Sequence, residues 1–443
     1  MKKILVLGAG FVAGPLVEFL KRRAENDITV ASYLLSEAEE LARNFNSVKS
    51  IQLDVSNQSL VQEALDGFDL VVSLVPAPFH PTIAKAAIQA QVNMITASYE
   101  SEEMKNLAKD IKEAGITVLN EIGLDPGIDH LSAMQIIDQA HNKGENISSF
   151  VSWCGGLPAP ESNNNPLGYK FSWAPRGVLM ALLNEAKYLN NNNPITISSD
   201  KLMSWTKPLS IAGLELEGYP NRESVSYKQV YGIEEAKTIL RGTLRYQGFS
   251  EIIQAAHKLG LLSLNIIEVR EQSWSDFLVT INDGASIESL QKSISQKAFA
   301  ALEWLDCFSD KVITVKTTPM DVFCELLVEK LQYLDNESDM VILQHKFVIE
   351  KESGEEYYIS STLRTEGDAS GYSAMSKTVG YPVAIASQLM LDGLYSRQGL
   401  QLPVTKDIYE PILAQLSQEG IICEEKVFAP NQVSKEAFLS ELM

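Results

Sequence analysis

The sequence has few cysteines, a deficit of positive charge and no long apolar run, and each of these features excludes a class of protein. Its 443 residues include 4 cysteines, which show neither a CxxC spacing nor a nearby pair of histidines. We therefore expect no metal site and no disulfide framework. The expected compartment is the reducing cytoplasm.

The charge and the apolar pattern exclude two further kinds of partner. Lys and Arg total 37 against 57 Asp and Glu, which gives a formal net charge of -20. Such a chain is a poor partner for nucleic acid, although a few arginines in one cleft can still bind a small anion. No uninterrupted apolar run is long enough to cross a bilayer, and Met1-Lys-Lys leads into a strand pattern rather than a secretion signal. We expect neither nucleic acid nor a membrane as partner.

A glycine-rich turn follows the first strand pattern. The apolar run Ile4-Leu-Val-Leu7 is typical of a parallel strand covered on both faces, and Gly8-Ala-Gly-Phe-Val-Ala-Gly14 comes directly after it. Glycines at this spacing let backbone N–H groups approach a pyrophosphate at the start of the next helix. The turn therefore predicts a dinucleotide site.

Strand and helix patterns then alternate as far as residue 119, which predicts a doubly wound parallel sheet of the α/β class. The carboxyl ends of the second to fifth strands should line the cofactor. The residues at these ends are Ser32, Tyr33, Asp54, Val55, Val75, Pro76, Ser98 and Tyr99. A contact with the adenine and a capping role at the strand end explain Asp54 equally well.

The end of the second strand carries no charged side chain. NAD sites usually have Asp or Glu there to bind the ribose 2′-OH, and an Arg favours the 2′-phosphate of NADP. The stretch Ala31-Ser-Tyr-Leu34 has neither. The residues by themselves leave both dinucleotides open.

The loop over residues 123–127 separates this sheet from the rest of the chain. Pro126 fixes one φ angle and Gly127 permits a positive one. Asp129 is expected to cap the helix that follows. The loop places Asp125 at the carboxyl end of a strand, where open α/β sheets hold their chemistry.

The second half of the chain holds candidates for anion recognition. Cys154 ends a strand pattern that begins at Ile147, and a role in the cleft and a buried structural role both fit it. Arg222 follows a Pro-Asn turn, whereas Arg245 alternates along a strand with Thr243 on the same face. Arginine binds carboxylates with a charged fork, but pairing with surface acids is the alternative in an acidic chain.

Six segments together resemble the glutamate-forming saccharopine dehydrogenases. They are residues 8–15, 123–130, 154–158, 171–176, 219–222 and 242–246. The resemblance runs in order over the whole chain. It implies an N-terminal Rossmann domain, a mixed-sheet α+β substrate domain and a helical insertion. The Rossmann domain is expected over residues 1–125, rejoined by C-terminal helices from residues 375–443. The substrate domain is expected over residues 126–248 and 336–374, and the helical insertion over residues 249–335.

The resemblance also implies an activity. It is the NAD(P)-dependent interconversion of saccharopine with 2-aminoadipate 6-semialdehyde and L-glutamate, in lysine metabolism, by a homodimer. Hydride leaves the carbon beside the amine nitrogen, and hydrolysis of the imine releases glutamate. Fungal NADP-dependent members carry Arg where this chain has Tyr33, so this position favours NAD.

The family's contacts can be placed on this sequence by position. The substrate contacts fall on Ser98, Tyr99, Asp125, Arg222, Thr243, Leu244 and Arg245. The cofactor contacts, which include several of these strand-end residues, fall on Gly8, Gly10, Phe11, Val12, Ala13, Ser32, Asp54, Val55, Val75, Ser98, Leu124, Asp125, Gly127, Ile128, Asp129, His130, Leu131 and Trp173. The candidates for proton transfer are Asp125, Cys154 and Tyr99. Asp125 would hold or deprotonate the amine, Cys154 would orient water, and a binding role alone also fits Asp125.

Two other functions fit parts of the pattern. A reductase like carboxynorspermidine synthase would share the Rossmann motif but would need fewer cations for its substrate. A non-catalytic NAD(H)-binding regulator would have no reason to hold arginines and hydroxyls around the nicotinamide. Turnover of saccharopine by the purified protein would distinguish a saccharopine dehydrogenase from both of these alternatives.

Replacing Tyr33 by Arg is expected to improve the use of NADP relative to NAD, because a guanidinium there can meet the 2′-phosphate. The measurement is the ratio of kcat/KM for the two dinucleotides, with Tyr33→Phe as the uncharged control. A ratio that Tyr33→Arg leaves unchanged would show that this position does not contact the ribose.

Overall fold

The structure is a computed structural model that describes residues 1–268, 270–314 and 317–442. The chain divides into two units. Unit 1 comprises Met1–Glu145 and Gly371–Glu424, and unit 2 comprises Asn146–Ser370 and Glu425–Met443. Within the described ranges, no helix has both the length and the apolar character needed to span a membrane.

Unit 1 is built on a parallel sheet. Its first strands are β1 Lys2–Leu7, β2 Asn26–Ser32, β3 Lys49–Gln52, β4 Leu70–Ser73, β5 Asn93–Thr96 and β6 Thr117–Leu119. A later strand, Gly399–Gln401, pairs with β6. The order across the sheet is Gly399–Gln401, β6, β5, β4, β1, β2, β3. This confirms the predicted doubly wound sheet, and its direction of winding reverses between β1 and β4, where such sheets bind their ligands.

Helices cover the sheet of unit 1. They are α1 Ala13–Lys21, α2 Leu35–Arg43, α3 Gln58–Ala64, α4 His80–Ala90, α5 Glu102–Asn106, α6 Ala108–Glu113 and α7 Ile128–His141, followed by Ala374–Leu391 and Lys406–Gln418. The helix Ala374–Leu391 packs closely on α1 at Gly380. A Cβ at Gly380 would lie 2.8 Å from Val12 O and 3.1 Å from Leu16 N. Only glycine therefore lets the two helices approach this far.

Unit 2 contains a mixed sheet. Its strands, in chain order, are β7 Asn146–Pro158, β8 Ala186–Asn190, β9 Asn193–Ile197, β10 Lys207–Ile211, β11 Leu214–Pro220, β12 Thr238–Tyr246, β13 Glu271–Ser273, β14 Val312–Thr314, β15 Asp339–Glu350 and β16 Glu356–Glu366. The main order is β10, β11, β12, β7, β15, β16 and then Glu424–Phe428. The sheet is mixed because β12 runs parallel to β7 while β15 runs antiparallel to it.

The helical insertion predicted over residues 249–335 shares its core with the rest of unit 2. The helices of unit 2 are α8 Pro175–Ala181, α9 Tyr227–Val230, α10 Phe249–Lys258, α11 Trp274–Ile281, α12 Ile287–Lys292, α13 Gln296–Trp304 and α14 Pro319–Lys330. The insertion contains α10 to α14 and the short pair β13–β14. Trp274 and Phe323 belong to the same buried cluster as Val151 and Leu240 of the mixed sheet. The insertion is therefore not a separate folding core.

Two predicted domain limits differ from the observed ones. The second domain was expected from residue 126, but α7 belongs to unit 1, where the Tyr409 hydroxyl donates to Asp138 Oδ2 at 2.6 Å. The C-terminal return was expected to run to residue 443, but it ends at Glu424. The reason is local: the following segment packs on β16, where the ring of Phe438 stacks on Tyr358 at 5.2 Å.

Trp153 on β7 fixes the packing of one face of the mixed sheet. A Cβ at Gly242 on β12 would collide with the Trp153 ring and would lie 2.8 Å from Tyr219 O. Because both neighbours are buried, neither can move away without opening the core.

Gly242→Ala is expected to lower the free energy of unfolding of unit 2 by about 1–3 kcal/mol through overpacking. Urea unfolding followed by tryptophan fluorescence measures this, since the 5 tryptophans all lie in unit 2: Trp153, Trp173, Trp205, Trp274 and Trp304. Gly10→Ala is the control, because a Cβ there meets no heavy atom within 4 Å. Equal unfolding midpoints for the two variants would contradict this account of the packing.

Candidate active site

The glycine turn of unit 1 leads from β1 into α1. Gly8 has a φ of 103°, and a Cβ there would lie 3.2 Å from the backbone of Leu74, so the position requires glycine. At Gly10 a Cβ would point into open space. No side chain caps α1, so the backbone N–H groups of its first turn face a position that suits a phosphate. The turn fits a dinucleotide.

The other predicted residues of this turn differ in exposure. Phe11 is exposed, Val12 is half-buried and Ala13 is buried where α1 begins. A ligand on the turn can therefore meet the side chain of Phe11 and the backbone of Val12 and Ala13. The side chain of Ala13 belongs to the packing of α1 against the sheet.

The carboxyl end of β2 presents hydroxyl groups. The Ser32 hydroxyl donates to Glu37 Oε2 at 2.6 Å, and Tyr33 is 67% exposed. The Gln52 side chain donates to the Tyr33 carbonyl at 2.9 Å and so holds the backbone of this strand end. Ser32 is thus oriented by an acid on α2.

Asp54 forms a turn of its own after β3. Its Oδ1 accepts from the Ser56 N–H at 2.9 Å and from the Ser56 hydroxyl at 2.6 Å. These hydrogen bonds lower the pKa of Asp54. The structure thus gives Asp54 the capping role that was the alternative, and an adenine contact stays a prediction. Val55 and Val75, after β3 and β4, are half-buried at the same edge of the sheet.

The loop over residues 123–127 closes on itself through its backbone. The Gly123 N–H donates to Pro126 O at 2.8 Å, and the Ile128 N–H donates to Gly123 O at 2.9 Å. Gly127 has a φ of 147°, and a Cβ there would collide with the backbone of Gly123. The loop also contains a cis peptide bond between Asp125 and Pro126. Leu124 is buried, whereas Asp125 is half-buried.

Two of the predicted catalytic residues are hydrogen-bonded to each other. The Tyr99 hydroxyl donates to Asp125 Oδ1 at 2.8 Å, and both side chains are half-buried. Ser98, beside Tyr99 in the chain, is also half-buried after β5. The carboxylate is therefore held by a phenol at the carboxyl edge of a parallel sheet, where a ligand can reach it.

Several predicted cofactor residues after the loop have structural side chains. Asp129 does not cap α7 from outside; it lies in the first turn, and its Oδ1 accepts from the N–H groups of Gly127 at 2.6 Å and His130 at 2.9 Å. His130 is fully buried, with its Nε2 2.8 Å from Glu121 Oε2. Ile128 and Leu131 are also buried. These side chains are engaged within the fold, and their predicted contacts with the cofactor stay predictions.

In unit 2, Cys154 and Thr243 lie side by side on one face of the sheet. Cys154 was expected at a strand end, but β7 continues to Pro158 and places it within the strand, paired with Thr243 of β12. On the other side of Thr243, its partner in the sheet is Tyr219 of β11. The thiol of Cys154 is almost completely buried.

Leu244 and Arg245 point to opposite faces because side chains alternate along a strand. The Leu244 side chain is fully buried in the core, so its predicted contact with the substrate can involve only its backbone. Arg245 is 6% exposed, and its Nη1 donates to Leu244 O at 2.7 Å. Its Cζ lies 4.9 Å from the ring centre of Tyr169 and 5.3 Å from that of Phe249. Among the described residues, no carboxylate pairs with this guanidinium.

Arg222 and Trp173 occupy more open positions. Arg222 is exposed, with a φ of 54°, and its carbonyl accepts from the Lys187 N–H at 2.8 Å. Trp173 is half-buried before α8 and lies close enough to the Tyr169 hydroxyl to offset part of the rise in the pKa of Tyr169 that burial causes. Tyr169 therefore contacts both Trp173 and Arg245, two residues that the sequence assigns to different ligands.

Family models match both halves of the chain. The saccharopine dehydrogenase NADP binding domain matches residues 4–119, and the saccharopine dehydrogenase C-terminal domain matches residues 123–421. The chain belongs to the saccharopine dehydrogenase family. Saccharopine dehydrogenase [NADP(+), L-glutamate-forming] of Saccharomyces cerevisiae is 44% identical over 445 residues, which is 97% of this chain and 100% of that protein.

A solved structure and a longer relative agree with this membership. The apo histidine-tagged saccharopine dehydrogenase (L-Glu forming) from Saccharomyces cerevisiae matches with a TM-score of 0.89 and 43% identity, over 97% of this chain and 100% of that one. The mitochondrial alpha-aminoadipic semialdehyde synthase of Mus musculus is 41% identical over 438 residues, which is 95% of this chain but 47% of that protein. The chain therefore spans about half of that relative.

The preference of this saccharopine dehydrogenase for NAD, which was predicted from Tyr33, is not supported. The matching domain and the yeast relative both carry NADP in their names. The neutral side chains at the end of β2 do not by themselves decide between the two dinucleotides.

Sequence reasoning missed the buried supports of this site. Glu121 has a φ of 60°, and its carboxylate also accepts from the Glu100 N–H at 2.8 Å while it contacts His130. His80 at the start of α4 contacts Ser98. The adjacency of His80 to a predicted strand end was the available signal, whereas nothing in the spacing links Glu121 to His130.

Gly10→Val is expected to abolish dinucleotide binding without unfolding the chain. A branched side chain would take the space of the pyrophosphate, so the charge-assisted hydrogen bonds to it are lost and no binding should be detected. Fluorescence titration with NADPH and thermal unfolding measure the two effects. Undiminished affinity would place the dinucleotide elsewhere.

Proposed function

We propose that this chain is an NADP-dependent, L-glutamate-forming saccharopine dehydrogenase of lysine metabolism. It interconverts saccharopine, water and NADP⁺ with L-glutamate, 2-aminoadipate 6-semialdehyde, NADPH and a proton. The observation that carries the proposal is the Tyr99–Asp125 hydrogen bond at the carboxyl edge of a parallel sheet. The 44% identity with the yeast enzyme over 97% of this chain and 100% of that protein supports the choice of substrate.

The residues of unit 1 provide the dinucleotide site. NADP accepts the hydride when it is bound. The turn from Gly8 to Ala13 would hold its pyrophosphate. At the ribose end, the Tyr33 hydroxyl is a neutral donor, and the Ser32 hydroxyl, which donates to Glu37, can accept from a ribose hydroxyl. With no Arg or Lys over residues 31–34, discrimination by charge is weak at this strand end, and NAD is the natural competitor in any assay.

Asp125 binds the substrate amine and accepts its proton. A secondary amine is protonated near neutral pH and must lose this proton before hydride can leave the adjacent carbon. An ionised carboxylate accepts several hydrogen bonds, so Asp125 can bind the amine while it keeps the bond from Tyr99. Tyr99 keeps the carboxylate in one orientation, which matters because proton transfer needs close geometry.

Unit 2 supplies anion recognition and a position for water. Arg245 is a buried cation whose described partners are a carbonyl and aromatic rings. A substrate carboxylate would give this guanidinium the anionic partner that buried charges require. Arg222 would hold a second carboxylate of the tricarboxylate substrate. Thr243 and Cys154 share the face of Arg245, and we assign them to substrate and water respectively.

The direct test is turnover by the purified protein. Saccharopine is mixed with NADP or with NAD, and the absorbance of reduced cofactor is followed. The proposal predicts turnover that is faster with NADP, and a loss of turnover in Asp125→Ala. No reduction of either dinucleotide would contradict the proposed function, whereas turnover with NAD alone would contradict only the choice of cofactor. The homodimer and the cytoplasmic location stay predictions from the sequence.

Truncation of Arg245 or Arg222 to Ala is expected to cost on the order of 2–5 kcal/mol in kcat/KM for saccharopine, because a substrate anion loses its forked partner. Arg245→Lys and Arg222→Lys should recover only part of this, since lysine keeps the charge without the fork. Dinucleotide affinity should stay near that of the parent.

Arg241 offers a matched control for Arg245. It lies on the same strand, is also buried and packs its Cζ 4.3 Å from the ring centre of Tyr227. Arg241→Lys should alter stability but not the KM for saccharopine. If Arg222→Ala and Arg245→Ala both turned over saccharopine like the parent, the assignment of these arginines to substrate carboxylates would be wrong.

A further inference from the structure

Three hydroxyl groups surround one buried imidazole in unit 1. His80, the first residue of α4, is 2% exposed. Its Nδ1 lies 3.0 Å from Ser73 Oγ at the end of β4. Its Nε2 lies 2.8 Å from Ser98 Oγ and 3.2 Å from Thr96 Oγ1, both at the carboxyl end of β5. The imidazole thus joins the ends of two adjacent parallel strands.

The charge state of His80 follows from its surroundings. Burial lowers the pKa of His80 to about 4, because desolvation disfavours the charged form. The start of a helix also disfavours a cation. Near neutral pH the ring is therefore neutral, with one N–H that must be on either Nδ1 or Nε2.

The hydroxyl partners decide between the two tautomers. Ser73 is fully buried, and its hydroxyl has His80 as its hydrogen-bond partner in the described chain. With hydrogen on Nδ1, the Ser73 hydroxyl hydrogen would have no acceptor, and Ser98 and Thr96 would compete for one Nε2 lone pair. With hydrogen on Nε2, Ser73 donates to Nδ1, and the single Nε2–H faces both oxygens. Ser98 Oγ lies closer to Nε2 than Thr96 Oγ1 does, at 2.8 Å against 3.2 Å, so Ser98 forms the Nε2 bond in either case. Within the described chain, the first arrangement then leaves the hydroxyl hydrogens of both Ser73 and Thr96 without an acceptor, whereas the second leaves only that of Thr96. The second arrangement is therefore favoured.

Of the three hydroxyls, Ser98 is the one that a ligand can reach. Ser73 and Thr96 are fully buried, whereas Ser98 is half-buried. When Nε2–H donates to Ser98 Oγ, the hydrogen of the Ser98 hydroxyl remains available to an external acceptor. The Ser98 backbone is fixed as well, since its N–H donates to Thr96 Oγ1 at 3.2 Å and its carbonyl accepts from the Glu121 N–H at 3.1 Å.

We propose that His80 is a positioning residue that accepts from Ser73 and donates to Ser98, so that the Ser98 hydroxyl donates its hydrogen to a carboxylate of the substrate. This inference rests on the proposed function, in which Ser98 contacts the substrate. It assigns Ser98 the part of a donor rather than an acceptor. His80 itself does not touch the ligand.

Two substitutions of His80 separate its two hydrogen bonds. An Asn side chain is short and places its amide near Nδ1, where it can meet Ser73 but not Ser98. A Gln side chain reaches the position of Nε2 and can donate to Ser98. His80→Asn and Ser98→Ala are each expected to raise the KM for saccharopine by about 10-fold to 100-fold, the range for a lost hydrogen bond to a charged group. His80→Gln should stay close to the parent.

The double variant His80→Asn/Ser98→Ala distinguishes positioning from a general structural role. If His80 acts through Ser98, the double variant has the same KM as Ser98→Ala, because the second change removes nothing further. Ser387→Ala is the stability control: its buried hydroxyl donates to Val383 O at 2.7 Å within one helix. Its loss should lower the melting temperature without changing KM.

Each outcome has a defined meaning. Additive increases in KM, or a His80→Gln variant as impaired as His80→Asn, would overturn the positioning role. A Ser98→Ala variant with the parental KM would overturn it too. In that case, saccharopine turnover by the parent would still support the proposed function. No turnover by the parent would instead refute the proposed function, and the inference with it.

Discussion

The backbone loop over residues 123–127 is the constraint on which the site of unit 1 depends. Its closure requires glycine at position 127, because any side chain there would collide with Gly123. The closed loop presents Asp125 at the edge of the sheet, where Tyr99 donates to it. Asp129 accepts from the Gly127 N–H of the loop, and the buried Glu121–His130 pair holds the residues on either side of it. A rigid carboxylate suits a reaction in which one proton must leave a defined nitrogen.

In the second unit, a buried cation is surrounded by aromatic rings. Arg245 lies among Tyr169, Tyr219 and Phe249, with distances of 4.9 to 6.0 Å from Cζ to the ring centres. Aromatic faces stabilise a guanidinium without neutralising it, so its charge remains available for a carboxylate. An acidic chain with a net charge of -20 can in this way bind an anionic substrate.

The sequence could predict what depends on local pattern. The glycine turn, the six strands before residue 120 and the Thr243–Arg245 face all follow from spacing within a few residues. The alternation that puts Arg245 on one face also puts Leu244 on the other, and this could have been recognised. The rings of Tyr169 and Tyr219 around Arg245 could not, because distant segments supply them. The Glu121–His130 link and the hydroxyls around His80 could not either, because they depend on how the loops after β4, β5 and β6 fold. The strand Gly399–Gln401 is too short to show a period.

The most direct test of the account is the stoichiometry of the reaction. Purified protein is incubated with saccharopine and NADP, and the glutamate released is quantified against the reduced cofactor formed. The account predicts equal amounts of glutamate and NADPH, since each hydride transferred produces one imine that hydrolyses. Reduced cofactor without glutamate, or no reduced cofactor with either dinucleotide, would contradict the claim that this chain oxidises saccharopine at its C–N bond.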